Sequence, residues 1–211
     1  LRAALLALVL LAGCAELSRP PPPEPPGELS DFNLADPVPA IVALAARDFD
    51  RGGAALAGQP EATALAAARL EWLADATRTG GRLAFFPSSY GLGLDRARGE
   101  LRSTLAIRPE ATSGEAIQAL ILAYRALKAG NTAAARQALA PPAFLPSADP
   151  PPLRRLAEPG LQPTAQIATA ALREEAQRLA YDRGLRRQAL QFDSPQQGIT
   201  TFGFTDDTLR Q

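Results

Sequence analysis

The chain has 211 residues, 22 Lys and Arg against 22 Asp and Glu, one cysteine, and neither histidine nor methionine. A formal charge of zero provides no long-range field to gather phosphate polymers, so a nucleic-acid partner is not expected. Without histidine the commonest general base and the usual nitrogen ligand for zinc, copper or haem are missing, and one cysteine cannot build a disulfide framework.

Behind Arg2, residues 3–12 form an apolar run that ends in Leu11-Ala12-Gly13-Cys14, which holds the only cysteine. The run is too short to cross a hydrocarbon core, which takes about 20 apolar residues. A basic residue, a short apolar run and small residues together form the pattern of an export signal. The Leu-Ala-Gly-Cys ending resembles the lipobox of bacterial lipoproteins. That resemblance implies cleavage before Cys14, lipid on Cys14, and a mature chain of residues 14–211. Ala15 and Glu16 follow the cysteine; the missing aspartate at the first position resembles the default sorting to the outer membrane, with the inner membrane or secretion as alternatives. One acyl chain holds a bilayer only marginally, so firm attachment implies the several chains typical of such lipoproteins.

Residues 14–37 read as a tether, because Pro20-Pro21-Pro22-Pro23-Glu24-Pro25-Pro26 favours extended polyproline II. The fold is expected from residue 38. A first helix starts near Pro39 with Asp36 as its cap, carries Val38, Val42, Ala45 and Phe49 on one stripe, and stops at Asp50-Arg51-Gly52-Gly53. A second runs from Pro60 or Glu61 to Thr77. Ala62, Leu65, Ala66, Trp72, Leu73 and Ala76 share its apolar side, Glu71 and Asp75 lie outside it, and Trp72 serves as a core anchor. Its alanines favour the helix and permit close approach of neighbours.

Residues 82–93 break this pattern. Phe85, Phe86 and Tyr90 cluster there, and Pro87, Gly91 and Gly93 argue for a structured loop in place of a helix. Rigid aromatics among glycines and serines make Phe85, Phe86, Ser88 and Tyr90 the candidate binding surface. Helical spacing returns with Leu94, Ala97, Leu101 and Leu105, leaving Asp95, Arg98, Glu100 and Arg102 outside, and Pro109 ends the segment. Ser113 and Glu115 mark the next helix start; Ile117, Leu120, Ile121 and Tyr124 form its apolar side, up to Lys128 and the turn at Gly130.

A short helix over residues 133–140 follows. Residues 119–139, two helices hinged at Gly130-Asn131 with Ala123, Ala135 and Leu139 at the crossing, are similar to half of a tetratricopeptide hairpin; an ordinary αα-hairpin within a bundle accounts for the same pattern. Residues 141–152 are a second proline-rich loop. A brief helix then carries Leu153 and Leu156, and another runs from Pro163 to Tyr181 with Ile167, Ala170 and Ala171 inward and Glu174, Glu175 and Arg178 solvated. Ile199 to Thr205 is strand-like in composition but lacks an evident partner, so residues 193–211 read as an extended tail laid over the helices.

These readings assemble into an all-α, irregular bundle of about five to seven helices with an extended C-terminal segment. The organisation is a signal peptide at 1–13, a tether at 14–37, an alanine-rich helical domain at 38–192 and a tail at 193–211. No catalytic residue, metal ligand or cofactor emerges. Glu174 and Glu175 point about 100 degrees apart on a helix, Asp206-Asp207 is an equally unsupported carboxylate pair, and Ser88-Ser89 has no nucleophile-elbow, Ser-x-x-Lys or histidine context. The expected role is that of a lipid-anchored, periplasm-facing accessory lipoprotein. Its partners would be membrane lipid through Cys14 and an envelope protein or a second copy of itself. The alternative is a small-molecule or cell-wall-polymer binding module, or a weak hydrolase using Asp and Glu.

Overall fold

The computed structural model describes residues 24–30, 36–79, 83 and 85–192, with the backbone alone described for 185–192. Cys14, the strand-like run at 199–205 and the rest of the expected tail lie outside the described residues. The described residues form an all-α, irregular multi-helix bundle without a strand, only one isolated bridge joining Ile107 to Phe144. Its seven α-helices are α1 (Val38–Asp48), α2 (Pro60–Thr79), α3 (Ser88–Leu105), α4 (Ser113–Lys128), α5 (Thr132–Ala138), α6 (Pro152–Ala157) and α7 (Pro163–Phe192). None of the described helices is long and apolar enough to cross a membrane. The chain divides into two compact units, Leu1–Ala176 and Gln177–Gln211. The division falls inside α7, within the span that the sequence reads as one helical domain. In the second unit α7 carries an i,i+4 ion pair, Arg178 to Asp182 at 3.0 Å.

The first unit is built around α2, which packs against α1, α3, α4 and α6. This position explains its composition. Ala64, Ala66, Ala67, Ala68 and Ala74 are all at most 1% exposed, and small side chains on several sides let four neighbours approach one axis. The expectation of a single apolar side with Glu71 outside is therefore corrected, while Asp75 does reach the surface, where it pairs with Arg78. A central helix has almost no outside, and Glu71 is buried. Burying a charge is costly unless it is paired, and here it is. The Arg102 guanidinium donates from Nε and Nη2 to the two Glu71 carboxylate oxygens at 2.6 and 2.8 Å, and from Nη1 to the Ala111 carbonyl at 2.8 Å. Hydrogen bonding to Glu71 raises the Arg102 pKa above its ordinary value.

A second buried pair on α2 ties down the N-terminal part of the chain. Arg69 donates from Nη1 to Asp48 Oδ2 at 2.6 Å and from Nε to the Leu29 carbonyl at 2.8 Å. Leu29, on a 3₁₀ turn over Gly27–Leu29, is fully buried, and Glu28 pairs with Arg125 of α4. Residues 24–30 are thus part of the body, although the sequence assigns them to the tether. Their prolines keep the backbone extended, but one leucine and one glutamate find partners that only the folded bundle assembles.

Helix ends follow local chemistry. The N-cap of α1 is Pro37, not the expected Asp36, which stands one residue before it and accepts from the Val38 N–H at 3.3 Å, and beyond α1 Arg51, Gly52 and Gly53 all take positive φ. Gly52 also accepts from the Gln162 N–H at 2.8 Å, which links this turn to the start of α7. The cap of α4 is Thr112, not Ser113. Thr112 Oγ1 accepts from the Glu115 N–H at 3.2 Å while a Glu115 carboxylate oxygen accepts from the Thr112 N–H at 2.8 Å, a reciprocal capping box. These bonds hold the Glu115 carboxyl below the usual carboxylate range.

Two registers differ from expectation. The apolar stripe Leu94, Ala97, Leu101 and Leu105 is buried as predicted, but α3 begins six residues earlier, at Ser88. Gly91 and Gly93 do not break it. A Cβ at these glycines would stand 3.6 Å from Thr77 of α2 and 3.8 Å from Ala168 of α7, so they are the small contacts of a helix seated between two others. Along α7 the buried face is Ala165, Ala168, Thr169, Leu172 and Glu175, whereas Ile167 is 71% exposed. Leu172 sets that register, and Ile167 lies roughly 140 degrees around the helix from it.

Candidate functional site

The aromatic cluster singled out from the sequence divides between core and surface. The Phe85 and Phe86 rings stand 4.6 Å apart, and Phe86 meets Tyr90 edge-on at 6.2 Å. Phe86 is buried, Tyr90 is half-buried with its hydroxyl 3.5 Å from a Glu175 carboxylate oxygen, and only Phe85 and Ser88 are exposed. Ser88 and Tyr90 belong to the first turn of α3, not to a loop. The four residues adjoin one another, but Phe86 is buried and Tyr90 reaches Glu175 of α7, so half of the cluster is engaged in packing.

Elsewhere in the first unit is a larger feature. An open groove of about 670 Å³ is lined by Leu127, Thr132, Arg136, Leu139 and Ala140 of the α4–α5 hairpin, Pro141, Leu145, Pro146 and Pro151 of the loop that follows, Pro152, Leu153, Arg154 and Ala157 of α6, and Pro60 at the start of α2. The hairpin turns at Gly130, with φ of +72°, and Asn131 Oδ1 caps α5 by accepting from the Ala134 N–H at 3.0 Å.

The loop wall is held from outside itself. Proline has no N–H to donate, so a loop with this composition cannot build its own ladder. The donors come from neighbours: Arg108 N–H to the Ala143 carbonyl at 2.9 Å, and from the Arg155 guanidinium to the carbonyls of Pro150, Asp149 and, on α3, Thr104 at 2.8, 3.0 and 2.9 Å. Leu145 in turn donates its N–H to the Ala106 carbonyl at 3.0 Å, and Phe144 is fully buried beneath. The groove is a preformed surface of the fold.

Its electrostatics are one-sided. Two arginines line it and no carboxylate does. Arg154 makes a 3.7 Å ion pair with Glu158, both side chains being about two-thirds exposed, an arrangement of little energetic consequence. Sequence reading marks residues 141–152 only as a loop, since all of the lining but Pro60 comes from residues 127–157, and periodicity does not report how that stretch folds back on itself.

No protein-family model, curated protein or solved structure matches this chain. A smaller groove of about 330 Å³ adjoins the docked N-terminal segment, with Glu24 and Pro26 against Trp72, Ile117, Ile121 and Leu122. Trp72 is 6% exposed and serves there as a core anchor, as its place in the apolar stripe predicts. Among the described residues, no group of three or more His, Cys, Asp or Glu side chains could hold a metal ion.

Proposed function

We propose that this chain is a lipid-anchored accessory protein of the bacterial envelope, attached through Cys14 to the periplasmic face of the outer membrane and acting by binding a partner. The observation that carries the reading is the placement of the chain's only cysteine directly behind Leu11-Ala12-Gly13 at the end of a short apolar run. The 670 Å³ groove supports binding as the mode of action, being within the usual range of ligand sites, about 300–1,000 Å³. The buried charges support the same view. Glu71 with Arg102 and Asp48 with Arg69 are engaged in ion pairs that hold helices together, which leaves these groups structural.

The test is expression of the full chain with its leader in a diderm bacterium, with palmitate labelling and membrane fractionation. The native chain is expected to take up label and sediment with outer membrane. Cys14→Ser is expected to lose the label and leave the membrane fraction; unchanged labelling and fractionation would overturn the anchor.

A further inference from the structure

We propose that the groove between the α4–α5 hairpin, the 141–151 loop and α6 binds an amphipathic helical segment of a partner protein that carries acidic residues beside its apolar face. This rests on, and deepens, the reading of the chain as a partner-binding protein. Three properties of the groove select this occupant. The first is apolarity in the open: Leu145 is 43% exposed within a surface of leucines, alanines and prolines, the kind of patch that marks an interaction site.

The second is what the walls lack. Five of the lining residues are prolines, which offer no N–H, and the described bundle has no strand. A peptide that binds by adding a strand needs a row of free donors and acceptors to pair with, so it finds none here. A polyproline segment is recognised by stacking on aromatic side chains, and no Phe, Tyr or Trp lines the groove. A helix satisfies its own backbone and needs only apolar contact from its host.

The third is charge. Arg136 and Arg154 line the groove and no carboxylate does; Glu158, which pairs with Arg154 at 3.7 Å, lies outside the lining in a largely exposed pair that a ligand carboxylate can replace, and a guanidinium fork pairs best with a carboxylate. The acidic residues of the helix would therefore fall at these two positions, fixing its direction in the groove. Charge complementarity separates this occupant from a purely apolar one.

The experiment measures fluorescence polarisation of labelled 18-residue peptides against the full chain in detergent, both lipidated and as Cys14→Ser. The probes are a helical peptide with leucines at i, i+4 and i+7 flanked by glutamates, a twin with lysines for glutamates, and a scrambled peptide of the same acidic composition without an apolar face. The acidic amphipathic peptide is expected to bind at least about tenfold tighter than either control, a difference of about 1.4 kcal/mol. Arg136→Glu is expected to erase or invert the preference over the lysine twin, and Leu145→Asp to abolish binding, with circular dichroism unchanged for both. Equal binding of the lysine twin, equal binding of the scrambled peptide, no binding at millimolar peptide, or displacement of the probe by palmitate or by self-association of the chain would each overturn the proposal. Because the assay runs with and without lipid at position 14, failure of the groove leaves the anchor standing, and loss of the anchor leaves the groove measurable.

Discussion

Replacing Arg102 with methionine tests the argument about α2 most directly. Methionine matches the aliphatic stem of the arginine and keeps its apolar contacts, but Glu71, with 2% of its side chain exposed, loses both guanidinium hydrogen bonds. Removing one member of a buried ion pair costs about 3–5 kcal/mol, because the remaining charge is stranded away from water. For a unit of this size that corresponds to a fall in melting temperature of roughly 6–20 °C. The double variant Glu71→Leu with Arg102→Met removes the stranded carboxylate and leaves the Ala111 carbonyl, and the more distant and exposed Pro109 carbonyl, short of the Arg102 donor, at a cost of about 1–3 kcal/mol. It should therefore be more stable than Arg102→Met alone. Urea unfolding followed by far-ultraviolet circular dichroism at pH 7 measures both. A single variant within about 1 kcal/mol of the native chain, or a double variant less stable than the single, would refute the claim that α2 buries this charge as part of a pair.

Thr112→Ala removes the capping box of α4 and should cost about 1 kcal/mol in the same urea assay. The register of α7 predicts that Ile167→Lys changes stability by less than about 0.5 kcal/mol, while Leu172→Ala costs about 2–5 kcal/mol; the reverse order in thermal melts would restore the register with Ile167 inward. Stability should also fall in acid. The Arg125 hydrogen bond holds the Glu28 carboxyl below the usual range, and Thr112 does the same for Glu115. A depressed folded pKa gives stability that is present above the unfolded value, about 4.3 for glutamate, and lost as pH falls through the folded one. Glu28→Gln with Glu115→Gln should accordingly flatten the decline in urea midpoint between pH 5 and pH 3. Arg102 contributes nothing to that slope, since its raised pKa keeps it charged until strong alkali.

Local pattern made most of the helices legible. The spacing of Leu94, Ala97, Leu101 and Leu105 belongs to a helix with one buried stripe, and they are buried because α3 packs with one side on the bundle. The glycines at 52, 53 and 130 end or turn helices with positive φ, a property of the residue itself. The capping box at Thr112 and Glu115 is present in their spacing, but Ser113 beside it is as good a cap by residue type, and only the backbone geometry separates the two. Where pattern misled, the cause was a neighbour. Gly91 and Gly93 look like breakers until Thr77 and Ala168 are seen beside them, and Ile167 looks inward until Leu172 fixes the face that meets the body.

The sequence by itself determined the helical class, the positions of most turns and the order of a short apolar run before the single cysteine, since periodicity, proline, glycine and residue order act over a few positions along the chain. Only tertiary structure decided that α2 lies at the centre and buries Glu71 against Arg102, that residues 24–30 dock on it, and that a proline-rich loop closes one side of an apolar groove. Those outcomes depend on which distant segments meet, and burial energy, unlike helical spacing, is a property of the meeting and not of either segment alone.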